Sequence, residues 1–318
     1  MEKVLVLGAT GGTGKALVQE LIARGIGVIA FGRNKEALDH LTQELGNPEK
    51  MELALGDVFH WESIREAAKT ATMIFQASNV PYHEMATKSL LLAESVMKAA
   101  EANSHKVVFV DGVYVYGPNP GYAVEETYIR KPNSKKGIIR IEMEKLIFSS
   151  RWKQSKSLIV RLPDYYGPTS KNSYLNPTLE GLALGKPSLF IGDTKVKREY
   201  IYLPDAVKMI LNVAFKDSSY GRNWNLPGQT ISAREIVKIT KQITGKSAFL
   251  IPIGKITLMI AGIFDTFLRE VVEMMYLTKD PLVLSGVQYE REIGNIPKTP
   301  FYIGLKETFE FIRSNKRK

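Results

Sequence analysis

The sequence opens with a short apolar run followed by a glycine-rich segment, and this pairing restricts the folds open to the chain. Val4-Leu5-Val6-Leu7 has the composition of a buried strand, and Gly8-Ala9-Thr10-Gly11-Gly12-Thr13-Gly14 follows it directly with GxxGxxG spacing. In this pattern the glycines permit a tight turn, the approach of a diphosphate to the backbone, and close packing of helix on strand. The N–H groups that begin the following helix would then bind the phosphates.

Strand-like and helix-like stretches alternate through the first half of the chain. The strand-like runs cover about 4–7, 28–31, 51–55, 72–77, 107–110 and 158–162, and the helical stretches about 13–24, 38–45, 64–69, 84–102 and 138–150. Such alternation predicts the α/β class and a doubly wound, parallel Rossmann sheet with helices on both faces.

The sequence pattern changes after residue 168, where the predicted elements become shorter and Gly, Pro and Asn become more frequent. We therefore predict a dinucleotide-binding Rossmann domain over residues 1–168. A smaller substrate or lid region should follow over residues 169–318. Segments near 200–210 and 222–230 are expected to return to the Rossmann domain.

The amino-acid composition excludes several kinds of chemistry. The chain has no cysteine, so it has neither disulfides nor a thiolate nucleophile. Its four histidines lie far apart without the spacing of metal ligands, and we read them as surface or helix-end residues with no metal site. The net charge is +10, but the basic residues are dispersed and not interleaved with aromatic residues. We therefore predict a small-molecule substrate and no nucleic-acid partner.

The apolar stretches are too short to cross a bilayer. The longest, Ile256–Phe264, has about half the necessary length. It opens a partly apolar stretch over residues 256–276, which we interpret as a packed pair of lid helices; the alternative is a membrane anchor. The first residues do not resemble a signal segment. We expect a cytoplasmic protein with no membrane partner.

The residues after the second predicted strand indicate which dinucleotide binds. An acidic residue there would hydrogen-bond the ribose hydroxyls of NAD, whereas an arginine would bind the 2′-phosphate of NADP. Arg33 and Asn34 occupy this position. We therefore predict NADP as the cofactor, with NAD as the alternative if Arg33 is a solvated loop residue. Asp57, after the third predicted strand, can accept a hydrogen bond from adenine or cap a helix.

Further segments resemble the extended branch of the short-chain dehydrogenase/reductase superfamily, the NAD-dependent epimerases and dehydratases. Gly8–Gly14 is similar to that family's TGxxGxxG motif, and Gly56-Asp57 to its adenine-binding GD. Three more segments carry the resemblance: Val115-Tyr116-Gly117, Tyr165-Tyr166-Gly167-Pro168, and Lys197–Asp205. The resemblance covers most of the chain and implies a Rossmann fold, a nicotinamide cofactor and, through helices 84–102 and 138–150, a homodimer.

The turn and the resemblance together imply which residues contact the dinucleotide. They are Gly8, Thr10, Gly11, Gly12, Thr13, Gly14, Arg33, Asn34, Asp57, Val58, Gln76, Ala77, Ser78, Arg140, Leu162 and Pro163.

The resemblance breaks at the catalytic positions. The family's serine corresponds to Gly112, its tyrosine to Lys136 and its lysine to Arg140. Arginine can hold ribose hydroxyls but does not release its proton, and lysine acts as an acid or base only where its surroundings lower its pKa. The candidate catalytic residues are therefore Lys136, Arg140, Tyr114 and Asp111. Alternatively, Lys136 and Arg140 are solvated or contact phosphate, and Tyr114 packs.

Two residues are candidates for binding the substrate. Tyr82 follows the fourth predicted strand at the carboxyl edge of the sheet, where ligands bind in such folds, or else it is a packed loop aromatic. Arg198 resembles the family's arginine that contacts the diphosphate of a nucleotide sugar, and this favours an anionic substrate. The alternative is a salt bridge to Glu199 or Asp205.

These observations support two functions. The first is an NADP-dependent oxidoreductase or epimerase that acts on a sugar-nucleotide-like or other polar carbonyl substrate with an atypical active site. The second is a non-catalytic NADPH-binding redox sensor or regulatory protein. The segment around Arg198 favours the enzyme, whereas the missing serine and tyrosine favour the sensor.

Overall fold

The computed structural model describes residues 2–171 and 173–316. The chain forms two compact units, each built from three segments. Unit 1 contains Met1–Asp111, Ile138–Arg161 and Val207–Trp224. Unit 2 contains Gly112–Gly137, Leu162–Ala206 and Asn225–Lys318. The domain boundary predicted at residue 168 stays a prediction.

Strands and helices alternate along the described residues. The strands are β1 (Lys3–Leu7), β2 (Gly27–Gly32), β3 (Met51–Leu55), β4 (Met73–Gln76), β5 (Lys106–Gly112), β6 (Lys156–Leu162), β7 (Asp164–Tyr166), β8 (Ser188–Ile191), β9 (Lys197–Tyr202), β10 (Asn223–Asn225), β11 (Gln229–Ser232) and β12 (Leu250–Ile253). The helices are α1 (Gly12–Ala23), α2 (Lys35–Glu44), α3 (Trp61–Ala67), α4 (Met85–Ala102), α5 (Lys135–Ile147), α6 (Asn176–Ala183), α7 (Leu203–Ala214), α8 (Ala233–Thr244), α9 (Lys255–Ala261), α10 (Thr266–Glu273), α11 (Tyr276–Lys279), α12 (Val287–Glu292) and α13 (Phe301–Asn315).

A seven-stranded sheet in the order β10-β6-β5-β4-β1-β2-β3 is the centre of unit 1. The pairs β1/β2, β1/β4, β2/β3 and β4/β5 are parallel. The strand order reverses beside β1, which is the point where doubly wound sheets bind their ligands at the carboxyl ends of the strands. The predicted α/β Rossmann fold is confirmed.

The core of unit 1 explains why β1 reads as an unbroken apolar run. Helices cover both faces of a parallel sheet, so both faces of a central strand are buried, and Val4 to Leu7 are completely inaccessible. His105 also lies in this interior, where its Nε2 is 2.9 Å from the Ala71 carbonyl oxygen. Its predicted helix-end position is correct, since its amide donates to the Ala100 carbonyl oxygen at the end of α4 at 2.9 Å, but the side chain is not at the surface. Burial lowers its pKa, while hydrogen bonds to backbone carbonyls oppose that shift.

Unit 2 has two smaller sheets. One has the order β11-β9-β7, with β11 antiparallel and β7 parallel to β9, and the other pairs β12 with β8 in parallel. Helix α8 begins with a capping box, in which Ser232 and Glu235 each satisfy the other's backbone N–H. Its buried face joins α6, α13 and the first sheet in one apolar cluster.

The stretch 256–276 forms α9 and α10, but its predicted packing is only partly correct. In α9, Leu258 is buried, whereas Ile256 is 75% exposed, and Phe264 in the turn after α9 is 90% exposed. The apolar periodicity therefore predicted the helix correctly and its burial wrongly. Over the described residues, the helices are too short or too polar to span a membrane.

Candidate functional site

The glycine-rich turn after β1 is packed so closely that side chains do not fit. Gly8 has φ +74°, and a Cβ placed there would lie 2.7 Å from the Cα of Ser78. A Cβ on Gly14 would lie 2.1 Å from the carbonyl oxygen of Gly8. The amides of Gly8 and Ala9 both donate to the Phe31 carbonyl oxygen at 3.2 Å. The turn is thus fixed to β2 and to the loop after β4, with its backbone uncovered by side chains.

The start of α1 fits a dinucleotide diphosphate. The helix is capped by the backbone of Gly11, and a side-chain hydrogen bond to its cap is not found among the described residues. Thr13 and Gly14 are buried in its first turn, whereas Thr10 is exposed before it. Amide dipoles at a helix start attract anionic groups, and the missing Cβ atoms allow a phosphate to approach them.

The end of β4 borders this turn with a fixed side-chain pair. Gln76 donates from Nε2 to the Ser78 carbonyl oxygen at 2.9 Å, and the Ser78 hydroxyl donates to Gln76 Oε1 at 2.8 Å. The Ala77 amide donates to the Leu7 carbonyl oxygen at 3.1 Å. These bonds hold the Ser78 backbone where it excludes a side chain at position 8.

The two predicted adenosine-binding loops are arranged differently. Arg33 is exposed after β2, and an ion pair to it is not found in the described part of the chain. Asn34 caps α2, where its Oδ1 accepts from the Ala37 amide at 3.0 Å, so only its amide nitrogen remains to donate to a phosphate. Asp57 accepts from the Phe59 amide at 3.1 Å through Oδ1, which closes its own loop. Val58 packs against the core.

Four charged residues form a buried cluster at the ends of β5, β6 and α5 in unit 1. Asp111 Oδ1 lies 3.3 Å from Arg140 Nε, and Asp111 Oδ2 lies 3.8 Å from Arg161 Nε. The completely buried Arg161 donates to Glu144 at 2.6 Å. Asn223 donates to the other oxygen of Glu144 at 2.8 Å. Two cations and two anions balance here, which is the condition for burying charges.

This cluster corrects one alternative and adds residues that sequence reasoning missed. Arg140 is not a solvated side chain, because the carboxylate of Asp111 holds it. The roles of Arg161 and Asn223 were not predicted. The signal available was an arginine inside the apolar strand Leu158–Leu162, since a charge in such a strand needs a buried partner.

Lys136 is buried between two carboxylates in unit 2. Its Nζ lies 2.7 Å from Glu270 Oε2 and 2.5 Å from Glu273 Oε2. Glu273 Oε1 also accepts from the amides of Lys135 and Lys136, so α10 supplies the cap for the start of α5. The alternative of a solvated or phosphate-bound Lys136 was therefore wrong. Its catalytic role stays a prediction.

The Glu273 carboxylate stays ionised although it is partly buried. Burial raises its pKa, but the hydrogen bond and charge of the Lys136 side chain and the two backbone donors outweigh this and lower the pKa below its ordinary value. Glu270 and Glu273 were missed by sequence reasoning. They lie far from position 136 in the chain, and their spacing on α10 was the one available sign that they share a face.

Two tyrosines of unit 2 lie close to this ion pair. Tyr114 lies in the 3-10 turn Tyr114–Tyr116 that follows β5. Burial raises the pKa of Tyr276 to about 12; the neighbouring Ser134 hydroxyl opposes the shift, and nearby Tyr114 and Glu273 add to it. The Tyr276 phenol is therefore neutral at physiological pH.

The predicted substrate contacts are engaged in packing. Tyr82 packs against the apolar group of Val80, Met85 and Leu92 in unit 1. Arg198 donates to the Ile191 carbonyl oxygen at 2.6 Å and lies over the Phe190 ring at 4.6 Å.

The salt-bridge alternative for Arg198 was wrong, since both acids bind other groups. Glu199 accepts from the amides of Gly228 and Leu284, and Asp205 binds Thr299. The two remaining predicted cofactor residues, Leu162 and Pro163, are buried in unit 2.

Comparison with known proteins identifies a family model and a relative of the same type. The model of the NAD dependent epimerase/dehydratase family matches residues 4–226. A protein of Bacillus subtilis (strain 168), named uncharacterized UDP-glucose epimerase YtcB, is 25% identical over 273 residues, which cover 78% of this chain and 84% of the relative.

Solved structures of that type share the fold of this chain. UDP-glucuronic acid 4-epimerase from Bacillus cereus, in complex with NAD, has a TM-score of 0.78 at 17% identity, over 98% of this chain and 99% of its own. UDP-glucose 4-epimerase from Thermotoga maritima, with UDP-glucose, has a TM-score of 0.77 at 21% identity, over 99% of both chains.

Proposed function

The chain belongs to the NAD dependent epimerase/dehydratase family, and we propose that it is an NADP-dependent oxidoreductase or epimerase that acts on a sugar nucleotide with an atypical active site. The observation that carries the proposal is the tight turn at Gly8–Gly14, in which Gly8 and Gly14 leave no room for a Cβ and the Gly11 backbone begins α1 without a side-chain cap. The relatives that bind UDP-sugars support the substrate class. The diphosphate of such a substrate agrees with the anionic ligand predicted from Arg198.

In this proposal the residues of unit 1 hold the cofactor. The amides of the turn and of α1 bind the diphosphate, Asp57 accepts from adenine, and Arg33 binds the 2′-phosphate of NADP. Arg140 replaces the family's lysine as the donor to the ribose hydroxyls, and Asp111 fixes the direction of its guanidinium. The solved neighbours contain NAD, so the preference for NADP depends on Arg33 alone.

The nicotinamide ring supplies a hydride donor or acceptor for carbonyl chemistry. The accompanying proton is assigned to Lys136, which stands at the position of the family's tyrosine. Its ammonium gives a proton to the substrate oxygen when a carbonyl is reduced, and the amine so formed takes it back when the alcohol is oxidised. Because Glu270 and Glu273 favour the charged ammonium, this transfer requires the substrate oxygen to displace one of the two carboxylates from Nζ.

A turnover assay with a conservative variant tests this assignment. Lys136→Arg keeps a cation between the two carboxylates but does not release its proton, since arginine stays protonated in proteins. We expect kcat for UDP-glucose or UDP-glucuronic acid to fall about 100-fold or more, with unchanged dinucleotide affinity. Lys135→Arg, at the exposed neighbouring position, is the control and should keep full activity. Tyr114→Phe is measured in parallel, and a fall in kcat confined to that variant would assign the role of proton donor to Tyr114 and not to Lys136.

Two features favour a second function. Gly112 and Asp111 replace the family's serines, and Lys136 is held by two carboxylates as a structural ion pair would be. A non-catalytic sensor of NADPH would keep the cofactor site and dispense with a proton donor. Dinucleotide binding without turnover of any sugar nucleotide, for the wild type as for the variants, would establish this alternative.

A further inference from the structure

Helix α9 exposes an apolar stripe on one face. Ile256, Met259 and Ile260 follow helical spacing at i, i+3 and i+4, which places them on the same side. Ile263 and Phe264, in the turn that follows the helix, continue the stripe, and all five residues are exposed. Leu258 alone is buried on the opposite side of the helix. Single exposed apolar residues are ordinary, whereas a contiguous group marks an interaction surface.

The short sheet before α9 exposes further apolar residues. Leu189 of β8 and Ile251 of β12 are register partners, so their side chains point to the same face of the sheet. Both are exposed, as is Phe249, two residues before Ile251. We call these three residues and the stripe of α9 the apolar surface of unit 2.

The charge around the apolar surface is mainly positive. Residues 241–265 contain three lysines and one acidic residue, Asp265, which caps α10. Lys241, Lys246 and Lys255 are exposed, as is Lys186 just before β8. The carboxylates of α10 do not offset them, because Glu270 and Glu273 bind Lys136.

We propose that the apolar surface of unit 2 docks on an anionic lipid bilayer. Aliphatic and aromatic side chains beside lysines are the composition of segments that bury one face in the headgroup region. Lysines near such a surface add electrostatic attraction to the anionic lipids, and insertion removes the apolar side chains from water. This revises the expectation that the chain has no membrane partner, and it does not depend on the proposed enzymatic function.

Charge disfavours a second copy of the chain as the occupant. In a two-fold dimer the same patch meets itself, so the lysines of both copies would face one another across the interface. Like charges brought together there oppose association, and the apolar surface has no acidic residue within 241–264 to relieve them. An anionic bilayer meets both the apolar and the basic features.

Vesicle sedimentation with the full chain tests the proposal. We expect the wild type to bind vesicles of phosphatidylcholine mixed with phosphatidylglycerol, and to bind vesicles of phosphatidylcholine alone at least about tenfold more weakly. The double variant Ile256→Gln/Ile260→Gln should lose at least about tenfold in affinity. Ile129→Gln is the matched control, since Ile129 is 69% exposed outside the apolar surface. Lys246→Gln/Lys255→Gln should weaken binding about tenfold and reduce its dependence on salt.

Sedimentation equilibrium without lipid and dinucleotide titration are run on the same samples. Because all the substituted side chains are exposed, unchanged thermal unfolding is expected and confirms that the variants fold. Wild-type binding equal to that of the double variant would overturn the proposal. So would self-association that the double variant abolishes while vesicles bind neither protein. Loss of dinucleotide binding would reject the proposed function without affecting this result.

Discussion

At the scale of single residues, Asp111 is best understood together with its charged neighbours. Its carboxylate lies within 4 Å of two guanidinium groups. Arg140 and Arg161 supply the positive charge beside it. The three residues are therefore best understood as one electrostatic unit, completed by Glu144.

Replacing the Asp111 carboxylate by an amide tests this unit. Asp111→Asn keeps the shape but leaves Arg140 and Arg161 with one carboxylate between them, so we expect a loss of about 3 kcal/mol in the free energy of unfolding. Urea denaturation at neutral pH measures it. Asp39→Asn is the control, because Asp39 pairs with Lys35 on an exposed helix face and should cost below about 0.5 kcal/mol. An equal loss in the free energy of unfolding at the two positions would show that Asp111 stabilises the fold no more than an exposed ion pair does.

Arg33 determines the choice of dinucleotide in our proposal. Arg33→Ala removes the guanidinium that would bind the 2′-phosphate, so we expect NADPH affinity to fall about tenfold and NADH affinity to change less than about twofold. Calorimetric titration of both dinucleotides gives the comparison. The nearby Lys35→Ala removes an exposed charge already paired with Asp39 and should leave both affinities unchanged. A wild type that binds NADH more tightly than NADPH would contradict the predicted preference directly.

At the scale of elements, the sequence predicts unit 1 better than unit 2. The strands and helices of the Rossmann sheet lie within a few residues of their predicted bounds, because the alternation of buried strand and amphipathic helix is a local pattern. Helix α5 begins at Lys135 and not near 138, an offset of the same size as at the starts of α2 and α3. Its cap is Glu273, more than one hundred residues away in the chain, and a local pattern does not contain it.

In the candidate site, too, features set by neighbouring residues were predicted better than features set by residues distant in the chain. The glycine turn depends on residues adjacent in sequence, and its glycines were identified from spacing alone. The ion pairs of Lys136 and Arg140 depend on which helix ends and strand ends meet in space. Sequence reasoning named both cations but none of the carboxylates that hold Lys136. It also predicted that the exposed stripe of α9 is buried, because the periodicity of apolar residues does not show whether another element covers that helix face.

The contact of α10 with α5 has a predictable dependence on pH. The pKa of Glu273 is lowered in the folded protein, so its contribution to stability is present above its ordinary pKa of about 4.5 and is lost as the pH falls through the lower, folded value. Glu273→Gln should destabilise the protein by about 1–3 kcal/mol at pH 7 and remove part of the acid-induced loss of stability.

Thermal unfolding of the wild type and Glu273→Gln across acidic pH measures this. Glu290→Gln, in α12 and exposed, is the matched control and should reproduce the wild-type profile. A wild-type acid transition that persists unchanged in Glu273→Gln would show that Glu273 does not couple α10 to α5.

For the whole molecule, the pH of maximum stability should differ from the pH at which the net charge is zero. The sequence pI is about 9.4, but the groups whose pKa values change on folding in the acid to neutral range are several carboxyl groups and His105. Lowered pKa values of Glu273 and Glu101 favour the folded state once these carboxylates ionise. Burial raises the pKa of Asp164 to about 6 and that of Glu199 to about 7, so ionising them opposes folding. The maximum of stability is therefore expected on the acid side of neutrality, far below the pI.

Glu199 provides the sharpest test of that expectation. Burial raises its pKa, although the Gly228 and Leu284 amides donate to its two oxygens and lower it in part. The folded chain keeps this proton where the unfolded chain has lost it, so the stabilisation is complete below about pH 4.5 and disappears as the pH rises through about 7.

We expect the free energy of unfolding to decrease by up to about 1.4 kcal/mol per pH unit over this interval because of Glu199. In Glu199→Gln the side chain no longer titrates, so this part of the slope should vanish. The amide nitrogen would face one of the two backbone donors, which lowers stability at every pH, and the slope is therefore the quantity to compare. Urea denaturation from about pH 5 to 8 measures it, with exposed Glu62→Gln as control. A slope unchanged in Glu199→Gln would mean that Glu199 is already ionised in the fold, held by its two amide donors.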